Sequence, residues 1–226
     1  MELNWVYFVP ALLLLFYPTG DHGSSSRLRF CDYEDIRYNR GGSAEASWRQ
    51  LWLWIDPLRA FAGAWLLRNA WVTVGPLEGA WIHVPLVATF ALLALALGMQ
   101  MHTRRDDTVL LAPMGYSIGL AFAILPPQIA ALVIVSAVAC TMGFRGWWAF
   151  YFFGAAAAAV FGYLILRVNL WMAGSVALLL EPLLLALMLK RSLAFPVTPR
   201  RKRVVVKRVK ERSPTAKPEP EPELVA

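Results

Sequence analysis

Seven apolar stretches take up most of the chain up to Lys190: residues 3–18, 50–70, 80–101, 108–125, 128–144, 147–166 and 170–189. A helical run of roughly 17 to 25 apolar residues matches the ~30 Å hydrocarbon core of a bilayer. Within that core every backbone donor and acceptor must be satisfied internally, so only helices and closed barrels cross it. The runs here are continuous rather than alternating with period two, which selects helices. The predicted fold class is therefore all-α: a polytopic transmembrane helical bundle of about seven spans, with the N-terminus outside and the C-terminus cytoplasmic. Composition agrees, since 58% of the 226 residues are hydrophobic and 16% charged, against roughly 45–50% and about 25% in globular domains.

Two of the runs are weaker than the rest. Residues 3–18 reach only about 24 Å at helical rise and contain Pro10, while residues 50–70 contain Asp56, Pro57 and Arg59. If one of them fails to cross, the count falls to six and the N-terminus changes side. The first run is not read as a cleaved leader. Glu2 stands where a basic n-region belongs, and the exit Tyr17-Pro18-Thr19-Gly20 has no small-x-small pattern.

Basic residues supply an independent orientation signal, because short cytoplasmic loops carry an excess of Lys and Arg. With the N-terminus outside, the inner segments hold Arg27, Arg29, Arg37, Arg40 and Arg49, then Arg104 and Arg105, then Arg145, and everything from Lys190 onward. Arg68 and Arg167 are the outer-side exceptions. Tryptophan and tyrosine, which favour membrane interfaces, fall into two belts. Trp5, Trp65, Trp71, Trp81 and Trp171 lie toward the outer face; Tyr17, Trp48, Trp52, Trp147 and Trp148 lie toward the inner one. The chain thus divides into a transmembrane domain, 1–191, with a cytoplasmic loop at 19–49, and a tail, 192–226, expected to be extended or disordered.

Ionised groups at membrane depth are costly and mark functional candidates. Asp56 and Arg59 share a narrow stripe of the second run with Ala60 and Gly63, and Glu181 lies near the middle of the last run beside Pro182. Arg59 and Glu181 sit at similar depths, about 13 Å from the inner ends of their runs. That match predicts an Arg59–Glu181 pair, with Asp56 competing for Arg59 at i,i+3 spacing. Small residues four apart let helices approach closely. Gly115, Gly119 and Ala123 form one such row, and Gly154, Ala158 and Gly162 another.

Familiar chemistries find no purchase. His22 lies in a loop, and His83 and His102 sit about 28 Å apart at opposite ends of one run, which excludes a bis-histidine haem site. Lysine within a span, needed for a retinal Schiff base, is absent from the runs. Neither a zincin, a phosphate-cradling loop nor a nucleophile elbow occurs. The run Ala139-Cys140-Thr141-Met142-Gly143-Phe144-Arg145 with Arg167 resembles the cysteine and arginine of exosortase transpeptidases. It has no downstream histidine, and it puts Cys140 toward the cytoplasm, where that family's chemistry does not take place. Pro127-Gln128 is similar to the dipeptide of the PQ-loop families but occurs once, without an internal repeat. No cofactor and no metal site are expected, and enzymatic function is disfavoured.

The formal charge of +7 is concentrated in the tail. Arg200, Arg201, Lys202, Arg203, Lys207, Arg208 and Lys210 form a juxtamembrane cluster suited to anionic lipid headgroups rather than nucleic acid, and a Pro/Glu-rich segment follows. The reading reached is a multi-pass protein of a membrane, the bacterial inner membrane by preference. Its expected partners are the lipid bilayer, anionic lipids at the tail, and other membrane protein chains. Its expected role is that of a non-enzymatic structural or assembly subunit; the alternative is a small transporter or channel built on Asp56, Arg59 and Glu181.

Overall fold

The computed structural model describes residues 2–17, 29–31, 51–72, 83–102, 109–167 and 169–197. They form seven helices and five short strands: β1 (Glu2–Leu3), α1 (Trp5–Phe16), β2 (Arg29–Cys31), α2 (Leu51–Asn69), β3 (Trp71–Val72), α3 (Val84–Met101), β4 (Val109–Leu111), α4 (Met114–Ile124), α5 (Pro127–Phe144), α6 (Trp147–Leu166), α7 (Leu170–Leu189) and β5 (Ser192–Val197).

Local chemistry sets the helix ends. The Asn4 side chain accepts from the Val6 amide at 3.1 Å and Asn169 accepts from Met172 at 2.7 Å, each satisfying one orphan donor of a first turn. Pro127 opens α5 and Pro85 falls in the first turn of α3, where a missing amide costs nothing. α5 and α7 close on left-handed residues, Arg145 at φ 56° and Lys190 at φ 52°. At the end of α7 the Arg191 amide reaches back to the Ala186 carbonyl at 3.0 Å, as in a Schellman closure.

Four helices are long and apolar enough to cross a membrane: α3, α5, α6 and α7. α1 and α4 are shorter apolar helices, and α2 carries Asp56, Arg59 and Arg68. The expected helix over 108–125 begins only at Met114. Val109–Leu111 is instead a strand parallel to β5, because Pro113 fixes its own backbone and biases Ala112 away from the helical region. The start of the tail is also ordered: β5 lies between β2 and β4, so regular structure continues to Val197.

α1 runs antiparallel to α2, with the Asn4 amide on the Ala70 carbonyl at 2.8 Å. α2 packs chiefly against α1 and α4, α5 against α6, α6 against α7, and α7 against α3. One core cluster joins α1, α2, α3, α4 and α7 through Leu15, Ala64, Leu93, Leu97, Tyr116, Leu120 and Leu178. A second joins α5, α6 and α7 through Ile129, Val133, Ala155, Ala158 and Leu179. The outside is apolar as well: Val135, Val160, Leu164, Leu187 and Met188 are each more than half exposed. Helices that are apolar on every face belong in lipid or in a large core. The two small sheets stand at opposite ends of the bundle, β1–β3 beside the start of α3 and β2–β5–β4 beside its end.

Candidate functional site

The most concentrated polar structure surrounds the C-terminal end of α1. A helix leaves its last carbonyls without intrahelical donors, and α1 stops at Phe16, alongside the middle of α2. Three helices supply the missing donors. The Gln100 side-chain amide of α3 donates to the Leu15 carbonyl at 3.2 Å and to the Tyr17 carbonyl at 3.1 Å. The Tyr116 hydroxyl of α4 donates to the Leu15 carbonyl at 3.1 Å. From α2, Arg59 Nη1 donates to the Tyr17 carbonyl. All three donors are buried, and a guanidinium at a helix C-terminus also meets the negative end of the helix dipole.

Arg59 makes two further contacts. Its Nη2 lies 3.4 Å from Asp56 Oδ1, one turn back on α2, and its Cζ lies 5.3 Å from the centre of the Tyr116 ring. Close backbone approach brings these helices within reach. A Cβ on Gly63 would stand 2.8 Å from Leu15 Cγ, and a Cβ on Gly119 would stand 2.9 Å from Ala60 Cβ.

Asp56, Arg59 and Glu181 all lie within electrostatic reach of Tyr116, but Arg59 does not bridge the two acids. The ion pair of Arg59 is with Asp56, the competing partner, and the expected Arg59–Glu181 pair is not formed. Helix packing is the reason: α2 packs chiefly on α1 and α4, whereas α7 packs chiefly on α6 and α3 and only lightly on α4. Glu181 faces α3, with its Oε1 3.4 Å from the position a Cβ would take on Gly98. Its Oε2 is buried and has no hydrogen-bond partner.

The small-residue rows take distinct places. Gly119 and Ala123 are buried in the bundle around α2 and α4, and Gly115 is half-buried. Gly154 faces Ala137 of α5, where a Cβ would sit at 3.3 Å; Gly162 faces Met172 of α7, where it would sit 2.8 Å from Cγ. Ala158 lies between them in the second core cluster. The basic residues Arg200 to Lys210 lie outside the described residues.

At the opposite end, the Trp171 indole donates to the Ile124 carbonyl at 2.7 Å, closing the last turn of α4. Arg68 lies over the same indole at 4.9 Å, and Phe90 meets it edge-on at 5.3 Å. Arg68, one of the outer-side exceptions in the charge pattern, is thereby seated on an aromatic face. Trp71 donates to Thr89 Oγ1 at 2.8 Å. These tryptophans join helices as well as standing near a bundle end.

Gln100 and Tyr116 escaped sequence reasoning, which searched the spans for ionised groups. The available signal was the shortness of residues 3–18: a helix that ends early needs donors at its end. Among the described residues, no three His, Cys, Asp or Glu side chains come together as a metal site requires. Comparison with known proteins returns no match, whether against family models, curated proteins or solved structures.

Proposed function

We propose that this chain is a multi-pass integral membrane protein acting as a non-enzymatic structural or assembly subunit of a membrane complex. In this reading α1 and α2 cross together with α3 to α7, the N-terminus is outside, and the basic tail rests on anionic lipid at the cytoplasmic face. The observation that carries it is the use made of the buried polar groups. Arg59, Gln100 and Tyr116 all donate to backbone carbonyls at the end of α1, so they hold a helix in place rather than line a path.

The interior supports the same reading. Between α3, α4 and α7 lies a cavity of only about 10 Å³, bordered by Leu97, Ser117, Leu120, Ser175 and Leu178. That is room for about one water. A transporter built on Asp56, Arg59 and Glu181 needs an open route past those groups, and Arg59 is instead closed on Asp56 and the Tyr17 carbonyl.

The test is recovery from membranes under mild solubilisation, followed by reconstitution. The subunit reading expects the chain in a stoichiometric assembly with other chains, and no flux of ions or small solutes from liposomes holding the purified chain. Recovery as a lone monomer that conducts in liposomes would overturn it.

A further inference from the structure

An open groove of about 620 Å³ runs between α3 and α7 on the flank of the bundle. Ala91, Ala94, Leu95, Gly98 and Met99 of α3 and its cap His102 form one side, and Glu181 and Leu185 of α7 the other. Along α3 the groove extends about 16 Å, or roughly three helical turns. Two properties set it apart from the rest of the apolar exterior. Its α3 wall carries a row of small residues at helical spacing, Ala91, Ala94 and Gly98, which permit another helix backbone to come close. Among the lining residues the polar side chains are His102 and Glu181, and Glu181 Oε2 is shielded from solvent and has no donor.

An unsatisfied carboxylate oxygen is costly in a protein interior and more so beside lipid. Inside the bundle Arg59 turns its terminal nitrogens to Asp56 and the Tyr17 carbonyl, its Nε being buried without a partner, and Gln100 donates to the end of α1; neither bonds Glu181. A donor that reaches Glu181 along the groove would come from another molecule. A compact cationic ligand is usually recognised by aromatic faces, and no aromatic residue lines this groove. Its length, its small-residue wall and its single mid-span acid fit a helix instead.

We propose that the α3/α7 groove is the docking site for one membrane-spanning helix of another protein chain, which sets a Lys or Arg against Glu181. This rests on the subunit reading and names the chemistry of the partner. The basic side chain pairs with the Glu181 carboxylate on the Oε1 side, beside Gly98, while the neighbouring turns of its helix pack on Ala91, Ala94 and Gly98.

The experiment places a photo-crosslinking amino acid at Leu95 in the groove and, separately, at Val135 on α5 and Val160 on α6, in the full chain in its native membrane. The proposal expects a Leu95 adduct whose crosslinked peptide comes from an apolar segment of about 20 residues bearing Lys or Arg. Glu181→Gln should lower its yield at least about tenfold. Glu181→Lys combined with an acidic replacement of the partner's basic residue should restore it. Gly98→Leu, which fills the groove and leaves the carboxylate in place, should also abolish the adduct, so the outcome does not hang on one variant. Adducts at Val135 or Val160 without one at Leu95 would overturn the groove while leaving the subunit reading intact. Lipid adducts alone at all three positions would overturn both. Binding of tetraphenylphosphonium to the purified chain that depends on Glu181 would assign the groove to a small lipophilic cation and overturn the helix.

Discussion

Arg59 and Tyr116 meet over the end of α1: the guanidinium carbon lies 5.3 Å from the phenol ring centre while both side chains donate to carbonyls of the same helix terminus. The contact ties α2 to α4 and both to α1. A short helix with free carbonyls would be unstable in lipid, where water cannot replace the missing donors. With its end closed by three helices, α1 becomes an integral part of the bundle.

Removing the guanidinium should therefore cost far more than removing the phenol. Arg59→Met leaves the Tyr17 carbonyl one donor short and breaks the ion pair to Asp56, at about 3 kcal/mol. Tyr116→Phe keeps the ring and loses one hydrogen bond, at about 1 kcal/mol. Thermal unfolding in detergent should show Tm falling by roughly 6 to 12 °C for the first and about 2 to 4 °C for the second. Combined with Tyr116→Leu, which removes the ring as well, Arg59→Met should fall short of additivity by about 0.5 to 2 kcal/mol, the coupling expected of a cation over an aromatic ring. Equal losses from the two single variants would refute this account of the site.

Glycines test the packing with an internal control. A side chain at Gly119 meets Ala60 and the Pro57 carbonyl, whereas a Cβ at Gly143 meets nothing within 4 Å. Gly119→Val should destabilise by about 3 kcal/mol through overpacking and carry Arg59 away from the end of α1. Gly143→Ala should stabilise α5 by up to about 1 kcal/mol through helix propensity alone. Parallel melting curves check both signs.

Much of this fold was legible in the chain, and the failures have physical causes. α5, α6 and α7 begin and end within one residue of the expected runs, because their turns are marked by Pro126-Pro127, Gly146 and Asn169. The apolar run overstates the length of α4 because Val109-Leu110-Leu111 is as apolar as a helix, and only Pro113 separates strand from helix there. Depth along a helix points to the wrong partner for Arg59 because it says nothing of which helices are neighbours. Asp56 at i,i+3 needs no such knowledge, and that is the pair that forms. Gln100 and Tyr116 stayed hidden because a neutral donor at a span's end looks like any interfacial residue until the helix it caps is known.

Trp171 separates hydrogen bonding from packing at the other end of the bundle. Trp171→Phe keeps a ring for Arg68 and Phe90 but loses the 2.7 Å bond to the Ile124 carbonyl, and should cost about 1 kcal/mol. Trp171→Ala removes the ring as well and should cost about 3 to 5 kcal/mol. Indistinguishable melting temperatures for the two variants would mean that the indole donor contributes all of the effect and the ring none.

The proposed topology can be tested where the two small sheets close the bundle. Val72 pairs with Glu2 at one end, and Ser192 pairs with Val109 at the other; both Val72 and Ser192 are exposed. An odd number of crossings puts these ends on opposite sides of the membrane. In a background with Cys31→Ala and Cys140→Ala, a single cysteine at Val72 should react with an impermeant maleimide from outside intact cells, and one at Ser192 only in inverted vesicles. Arg145 and Lys190 would then lie at the cytoplasmic end with Ser192, in accord with the basic bias of inner loops. Labelling of both positions from the same side would rule out seven crossings, since the bundle in between would have to lie along the membrane instead of through it.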